Sequence, residues 1–227
     1  MSRINLLFQF LRFLPWTLRF NFHYLPFSQA IKLPILLYKP KLLTLNGIIR
    51  ISGGVKFGMI KLGFNQVSIY PNSGITWSNS GTVIFKGRCN IGNASAISIG
   101  EKRILTIGDN VRATTALKLV CYHRIDIGEQ TLIGWENIIC DTDFHSVMTT
   151  TGKTKGYDSI IIGPHNWLAM QSLILKGTQT PPFTVVGARS TLNKNYVTHG
   201  EKILLAGSPA TLKCRDIYLH RQNDKII

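Results

Sequence analysis

The sequence is poor in acidic residues and has none in its first hundred positions. It contains 26 Lys and Arg against 11 Asp and Glu, a formal net charge of +15, and Glu101 is the first carboxylate along the chain. Such an uneven charge indicates that the basic half faces a nucleic acid or an anionic membrane surface. Because the neighbours of the basic residues are large and apolar, and because no DNA-binding or RNA-binding motif is present, we expect a membrane surface and no nucleic acid.

Cysteine pairs and long uncharged runs are also scarce. The four cysteines form no CxxC pair, and no secretory signal with a small-residue cleavage site precedes them, so we expect reduced thiols in the cytosol. The longest uncharged run of the N-terminal region, Phe20 to Ile31, is too short to span a bilayer, and no transmembrane helix is predicted. With 227 residues, 44% of them hydrophobic, the chain is long enough for one large domain with a buried core.

Residues 1–45 have the pattern of a basic amphipathic helical segment. On a helix, a narrow polar stripe contains Asn5, Gln9, Arg12, Arg19 and His23. The remaining surface is apolar and contains Leu6, Leu7, Phe10, Leu11, Phe13, Leu14, Leu18 and Phe22. Pro15 is expected to kink or divide this helix, and later prolines predict two or three short pieces. We interpret the segment as an interfacial membrane anchor; the alternative is packing against the main domain or a neighbouring subunit.

From residue 162 onward the sequence repeats with a period of six. The first position of each unit is occupied by Ile162, Leu168, Ile174, Thr180 and Val186. Four places later, each unit has a small polar residue: Asn166, Ser172, Thr178, Thr184 and Ser190. A six-residue unit fits one flat face of a triangular coil, as a short strand with an inward side chain followed by a tight turn. Stacked coils would pair their backbones and form a continuous core.

The order of several motifs resembles the hexapeptide-repeat acyltransferases. These motifs are Ile133-Gly134-Trp135-Glu136-Asn137, Asp141-Thr142-Asp143-Phe144-His145, Ile162-Gly163-Pro164-His165-Asn166-Trp167-Leu168-Ala169 and Leu205-Ala206-Gly207-Ser208-Pro209-Ala210. The resemblance covers about residues 50 to 213 and implies an all-β, left-handed parallel β-helix. We therefore expect a β-helix domain over residues 46–212 and a C-terminal tail over residues 213–227. A loop excursion is expected near residues 146–160, where the repeat stops.

His145 is the candidate general base. Acetyl transfer to an alcohol needs a group that takes the hydroxyl proton as the oxygen attacks the thioester, and an imidazole near neutral pKa suits this step. The resemblance implies that His145 is catalytic and acts in a cleft between two subunits of a homotrimer. Asp143 is expected to orient the imidazole, and Asp141 to flank the acceptor; either aspartate alternatively caps backbone groups where the chain leaves the coil.

The resemblance also implies where acetyl-CoA lies, in a groove between neighbouring coils. The expected cofactor-binding residues are Trp167, Ala169, Ser172, Gly187 and Ala188, with Lys176, Lys213 and Arg215 near the phosphates. Arg189, where the family often has glycine, departs from the pattern. Backbone N–H groups of residues 167–169 are expected to bind the oxyanion. Trp135 and Glu136 are expected to line the acceptor pocket, and the alternative for Trp135 is a packing role.

These observations predict a cytosolic O-acetyltransferase, peripheral on the inner face of the membrane, that uses acetyl-CoA and a saccharide or lipid-linked saccharide acceptor. It resembles the sugar O-acetyltransferases of capsule and lipopolysaccharide gene clusters. Two alternatives remain, N-acetylation of an amino sugar and a non-catalytic membrane-tethered scaffold. No metal is expected, because the histidine spacings from His123 to His145 and from His145 to His165 do not make a zinc ligand set.

Overall fold

The computed structural model describes residues 3–220, with side chains from residue 12 onward. Its helices are α1 (Arg3–Tyr24), α2 (Phe27–Ala30) and a 3-10 helix (Val197–His199). Its strands, in chain order, are β1 (Ile35–Leu37), β2 (Pro40–Thr44), β3 (Ile48–Ile51), β4 (Ile60–Phe64), β5 (Ile75–Asn79), β6 (Thr82–Phe85), β7 (Cys89–Gly92), β8 (Ser95–Ile99), β9 (Ile104–Ile107), β10 (Val111–Ala113), β11 (Lys118–Cys121), β12 (Arg124–Ile127), β13 (Leu132–Ile133), β14 (Ile138–Cys140), β15 (Met148–Thr149), β16 (Gly152–Lys153), β17 (Ile160–Ile162), β18 (Trp167–Leu168), β19 (Leu173–Leu175), β20 (Gln179–Thr180), β21 (Val185–Val186), β22 (Thr191–Leu192), β23 (Ile203–Gly207) and β24 (Ala210–Arg215).

Three sheets form the faces of a triangular coil. Face A has the order β1-β4-β7-β10-β13-β18-β21-β23-β24, face B the order β2-β5-β8-β11-β14-β19-β22, and face C the order β20-β17-β12-β9-β6-β3. All pairings within the faces are parallel except the last, between β23 and β24. The chain thus visits A, B and C in turn, and each turn stacks on the one before.

The six-residue repeat explains this stacking. Every first-position residue from Ile162 to Val186 is buried, and so is every small polar residue from Asn166 to Ser190. The polar residues tie successive turns together: the Asn166 side-chain Nδ2 donates to Thr180 Oγ1 at 2.6 Å, and its Oδ1 accepts from the Thr184 backbone N–H at 2.7 Å. The prediction of an inward aliphatic position and a small polar corner position is confirmed.

Helix α1 packs against the first strand of face A through polar side chains. The Leu37 backbone N–H donates to Thr17 Oγ1 at 3.1 Å, while Asn21 donates to the Ile35 carbonyl at 2.7 Å and accepts from the Ile35 N–H at 3.1 Å. Pro15 was expected to kink or divide the helix, and it does not divide it, because α1 runs through it. The helix on the C-terminal side of Pro15 is fixed by these contacts, and tertiary packing outweighs the cost of the proline. None of the helices in the described part of the chain is long and apolar enough to cross a bilayer.

The coil begins before residue 46. Strands β1 and β2 lie within the segment predicted to be helical, and they pair with β4 and β5. Pro34 and Pro40, taken from sequence as helix breakers, flank and begin short strands, a position that proline tolerates at a sheet edge. At the other end, β24 continues past residue 212 to Arg215.

Candidate functional site

The chain leaves the coil once between faces B and C, over residues 141–159, which we call the excursion. It starts directly after β14, contains the small antiparallel hairpin of β15 and β16, and returns at β17. The predicted loop began at residue 146, and the structure starts it five residues earlier. Asp141, at the start, is fully buried, and its two carboxylate oxygens accept from the backbone N–H groups of Tyr122 and His123 at 2.7 and 2.8 Å.

Asp141 therefore takes the capping role that the sequence left open, and its expected place beside the acceptor is not what the structure shows. Because this carboxylate is fully buried and both its oxygens accept from backbone donors inside the coil, a sugar hydroxyl does not reach it. Its own carbonyl accepts from the Asp158 N–H at 3.1 Å, which joins the two ends of the excursion. Asp141 thus fixes the base of the loop that carries His145.

His145 lies on the exposed side of the excursion. Among residues 12–220 its imidazole makes no hydrogen bond, so the ring is open to a substrate or a second chain. The backbone around it is fixed: the Asp143 N–H donates to the Gly156 carbonyl at 2.8 Å. Gly156 has a φ of +73°, and a Cβ there would lie 2.7 Å from the His145 carbonyl oxygen. Glycine is needed at this crossing because any side chain would displace the His145 backbone.

Asp143 does not contact His145 but pairs with Lys176. The Lys176 Nζ lies 2.5 Å from Asp143 Oδ2, and both side chains are partly exposed. Both residues were expected elsewhere. Asp143 does not contact the His145 imidazole, and Lys176 does not lie beside the other residues expected to bind acetyl-CoA. This ion pair holds the excursion against the next turn of the coil. A spacing of 33 residues gives no sequence signal for such a pair.

A groove of about 530 Å³ runs along the outer surface of face A. We call it the face A groove, and it is lined by Thr114, Leu132, Gly134, Trp135, Trp167, Ala169, Met170, Val185, Val186, Gly187, Ala188 and Leu204. It brings together four of the five small or aromatic residues expected to bind acetyl-CoA, together with Trp135. Gly134 allows close stacking, because a Cβ there would lie 2.9 Å from the Met170 backbone nitrogen. The groove is apolar, which suits a pantetheine chain.

Besides Lys176, three expected cofactor residues lie outside this groove. Ser172 is fully buried, and its Oγ donates to the Gly187 carbonyl at 3.1 Å, so it belongs to the small polar series inside the corner. Lys213 and Arg215 lie on β24, at the end of the same face. The Arg215 guanidinium donates to the His199 carbonyl. These two exposed cations thus stand beyond the groove end rather than within it.

Two of the three expected oxyanion donors are also occupied. The Trp167 N–H donates to the Thr184 carbonyl at 2.9 Å, and the Ala169 N–H donates to the Val186 carbonyl at 3.0 Å. Both bonds are part of the stacking of face A. These two N–H groups therefore stabilise the coil and have no capacity left for an oxyanion.

The corner between faces A and B holds a contact that the sequence did not reveal. Glu136 accepts from Gln171 Nε2 at 2.6 Å and from Tyr70 Oη at 2.9 Å, and the Tyr70 ring stands 5.8 Å from Trp135 in an edge-to-face arrangement. The hydrogen bonds from Gln171 and Tyr70 lower the pKa of Glu136. Tyr70 belongs to the 65–74 loop, another interruption of the repeat, whose Pro71-Asn72-Ser73-Gly74 turn was the available signal.

The remaining histidines are engaged in packing. The His165 ring stacks on Phe183 with centroids 4.5 Å apart and planes 4° apart, and the His123 ring lies 4.9 Å from Tyr157. Within the described residues, no group of three or more His, Cys, Asp or Glu side chains is arranged to hold a metal ion.

The excursion and the face A groove lie at different corners of the same chain. Residues of the excursion contact the corner between faces B and C, through the Tyr122–Phe144 ring pair at 4.8 Å and the Lys176–Asp143 pair. The groove is lined by face A and its corner with face B. One chain therefore presents an exposed imidazole and an apolar groove at separate edges.

Comparison with known proteins supports the fold. The chain matches no protein-family model and no curated protein sequence. The crystal structure of the polySia specific acetyltransferase NeuO is similar, with a TM-score of 0.56 at 20% identity over 83% of this chain and 75% of that one. The polysialic acid O-acetyltransferase OatWY is 19% identical, over 81% of this chain and 89% of that one, with a TM-score of 0.39. A hexapeptide transferase family protein from Anaplasma phagocytophilum is 12% identical, over 81% of each chain, with a TM-score of 0.40.

The likeness to NeuO defines the fold class. The chain is a left-handed parallel β-helix of hexapeptide repeats with a helical N-terminal segment, as the repeat and the motif order predicted. At this level of identity the likeness concerns the fold, and the chemistry has to be argued from the site.

Proposed function

We propose that the protein is an acetyl-CoA-dependent O-acetyltransferase that modifies a sugar of a surface polysaccharide or its precursor. The observation that carries this proposal is the face A groove. It unites Trp167, Ala169, Gly187 and Ala188, which the family resemblance associates with acetyl-CoA, in one apolar channel. The similar structure of NeuO, a polySia specific acetyltransferase, agrees with a saccharide acceptor.

His145 is the proposed base. Its imidazole takes the proton of the acceptor hydroxyl while the hydroxyl oxygen attacks the thioester carbonyl carbon. The carbon–sulfur bond then breaks, and the imidazolium returns the proton to the CoA thiolate. An exposed imidazole with no hydrogen-bond partner among residues 12–220 is available for both transfers.

We further propose that the working site forms between copies of the chain, as a homotrimer. The single chain places the base and the groove at different corners, so a neighbouring copy is needed to bring His145 to a groove. The excursion also exposes large apolar side chains suited to such a contact, since Phe144, Val147 and Met148 are 59%, 60% and 72% exposed. Contiguous exposed apolar groups of this kind mark interaction surfaces.

The test is release of the CoA thiol from acetyl-CoA in the presence of capsule and lipopolysaccharide saccharides. His145→Ala should abolish stimulated release, while the matched His199→Ala variant, whose ring lies outside the excursion, should retain it. Light scattering on the same samples reports the number of copies. Turnover that survives His145→Ala refutes the assigned base. If no hydroxyl acceptor is used but an amino sugar is, the reaction is N-acetylation. If acetyl-CoA does not bind at all, the scaffold alternative holds.

The N-terminal segment is proposed to hold the enzyme at the cytosolic face of an anionic membrane. Helix α1 and the turn after it expose an apolar row of Leu18, Phe22, Phe27 and Ile31, and the Phe22 and Phe27 rings lie 6.0 Å apart. Exposed cations flank the row, with Arg12, Arg19 and Lys32 on its borders. Apolar side chains beside cations, with no acidic residue before Glu101, match an anionic lipid surface.

Vesicle flotation tests this placement. The full chain should float with vesicles containing 30% anionic lipid and remain behind with neutral vesicles. Phe22→Glu with Phe27→Glu should lose flotation, and Ile69→Glu, an exposed apolar residue of the 65–74 loop, is the control. Equal flotation of both variants refutes the proposal. Loss of oligomerisation in the double variant would assign the row to a contact between copies.

A further inference from the structure

The outer surface of face A changes from polar and cationic to apolar about halfway along the coil. Its outward positions stack in register, each paired with the next, in the order Lys61, Asn90, Arg112, Leu132, Trp167, Val185 and Leu204. The later four positions line the face A groove. The first three, which we call the cationic row, carry two cations and an amide. The register places this row directly along the coil axis from the groove.

The cationic row borders a separate hollow of about 330 Å³. This hollow is lined by Gly58, Met59, Lys61, Arg88, Cys89, Asn90, Asn110, Val111 and Arg112. The hollow therefore adds a third cation, Arg88, to the two of the row. No carboxylate lines it.

The polar groups of the row are available to a ligand. Within residues 12–220, neither Lys61 nor Arg112 pairs with a carboxylate. Arg88 lies 4.0 Å from Asp109, and the two side chains are 69% and 41% exposed, so that pair is weak. The Asn90 Oδ1 accepts from Gln66 Nε2 at 3.3 Å, which fixes the amide so that its two N–H groups are the donors left over. Two cations and an oriented amide donor around one hollow suit a carboxylate.

The row is close enough to the groove to serve one reaction. Neighbouring strands of a sheet are about 4.8 Å apart, so Arg112 lies about 10 Å from Trp167 along the face and Lys61 about 19 Å. A single saccharide chain that extends from the groove along face A therefore passes over the row. Arg112 and the groove residue Thr114 are two positions apart, at β10 and directly after it, so the hollow and the groove adjoin.

Cations flank the groove at both ends. Lys213 and Arg215 stand on β24 beyond one end, and the cationic row stands beyond the other. A CoA molecule has phosphates at one end only, so it neutralises one of the two cationic groups. The second cationic group is then left for another anion. The only other substrate of the proposed reaction is the acceptor.

We infer that the cationic row binds carboxylate groups of an acidic saccharide, so that the acceptor is an anionic sugar chain rather than a neutral one. This inference rests on the proposed O-acetyltransferase function. The other source of an anion at the same place is a CoA phosphate, and the experiment separates the two.

The test compares an acidic polysaccharide with the same polymer after chemical reduction of its carboxylates. For each, CoA thiol release gives the KM of the acceptor and the KM of acetyl-CoA. The variant is Lys61→Gln with Arg112→Gln. The control is Lys41→Gln with Arg103→Gln, which removes the same charges from exposed positions on another part of the coil.

The variant should raise the acceptor KM for the acidic polymer at least about tenfold, from two lost charge-assisted contacts, with the acetyl-CoA KM unchanged. The control should change the acceptor KM by less than about twofold. Binding of the acidic polymer without acetyl-CoA, measured by affinity electrophoresis, should fall in parallel. This binding readout does not depend on turnover, so it tests the inference even where the acetyltransferase proposal fails.

A rise in the acetyl-CoA KM with an unchanged acceptor KM would assign the row to CoA phosphates and overturn the inference. Equal use of the acidic and the reduced polymer by the wild type would overturn it as well. So would a variant indistinguishable from the control in both turnover and polymer binding.

Discussion

Replacing Asp141 with alanine should destabilise the protein and slow the reaction without affecting the binding of either substrate. The carboxylate is fully buried and accepts two backbone hydrogen bonds, at 2.7 and 2.8 Å, from consecutive residues of the preceding turn. A hydrogen bond to a charged group contributes about 1.5 to 3 kcal/mol. Losing two, with partial recovery by water, should lower the free energy of unfolding by about 3 kcal/mol.

The assay is thermal unfolding followed by calorimetry, together with thiol-release kinetics below the transition. For a chain of this size, about 3 kcal/mol corresponds to a fall in Tm of about 6 to 12 °C. The kcat should also fall, because Asp141 fixes the base of the excursion that carries His145. Asp126→Ala is the matched control: its side chain pairs with Arg124 at 2.7 Å on an exposed surface, and it should shift Tm by no more than about 2 °C.

The reasoning is refuted if Asp141→Ala keeps Tm within about 2 °C of the wild type. A stable variant with a raised acceptor KM would instead assign Asp141 to the acceptor site, as the sequence first suggested. A variant that loses stability but keeps the full kcat would show that the base of the excursion does not govern the position of His145.

Gly156→Ala should reduce kcat at least about tenfold, measured by thiol release, because the added Cβ would lie 2.7 Å from the His145 carbonyl oxygen at a φ of +73°. Tyr70→Phe should raise the pKa of Glu136 towards its usual 4.5, as followed by NMR titration of the carboxyl group. Because that pKa is lowered in the fold, the stability that the Glu136 contacts contribute is complete above pH 4.5 and is lost as the pH falls through the folded pKa. Ala188→Trp should raise the KM of acetyl-CoA at least about tenfold, since a large side chain would fill the apolar groove.

Each of these predictions has a control. Gly152→Ala, at a positive φ with open space around it, separates backbone strain from the clash at residue 156. Gln171→Leu removes the other hydrogen bond to Glu136 and should move its pKa in the same direction, and an unchanged pKa in both variants would contradict the assigned cause. A normal acetyl-CoA KM in Ala188→Trp, with unchanged Tm, would exclude the groove as the cofactor site.

Much of the fold could be predicted from the sequence because each repeat is a local pattern. The alternation of buried Ile162 and Asn166, repeated every six residues, sets both the strand and the corner within a few positions. The N-terminal helix was predicted less well because its structure depends on contacts between residues distant in sequence. Pro15 was judged by its local effect on a helix, whereas Thr17 and Asn21 fix that helix through contacts with a strand about 14 to 20 residues away.

The site was predicted in part. The family resemblance, and no local pattern, pointed to Trp167 and Gly187 as cofactor residues, and both line the face A groove. The partners of charged groups were not predicted. Ion pairs such as Asp143 with Lys176 depend on how the excursion folds back onto the coil, and no local sequence pattern encodes that fold. The Tyr70 contact with Glu136 spans 66 residues and was missed for the same reason.

The side-chain contacts of helix α1 also help to prevent the protein from assembling end to end. A coil of stacked parallel strands presents open backbone edges at its two ends, and such edges invite end-to-end growth into filaments. At the first edge, Asn21 and Thr17 occupy the hydrogen-bonding groups of β1 that a second coil would use. At the far edge of face A, β24 turns back antiparallel on β23 and so breaks the repeat. Both ends of the face A sheet are therefore blocked against the addition of another parallel strand.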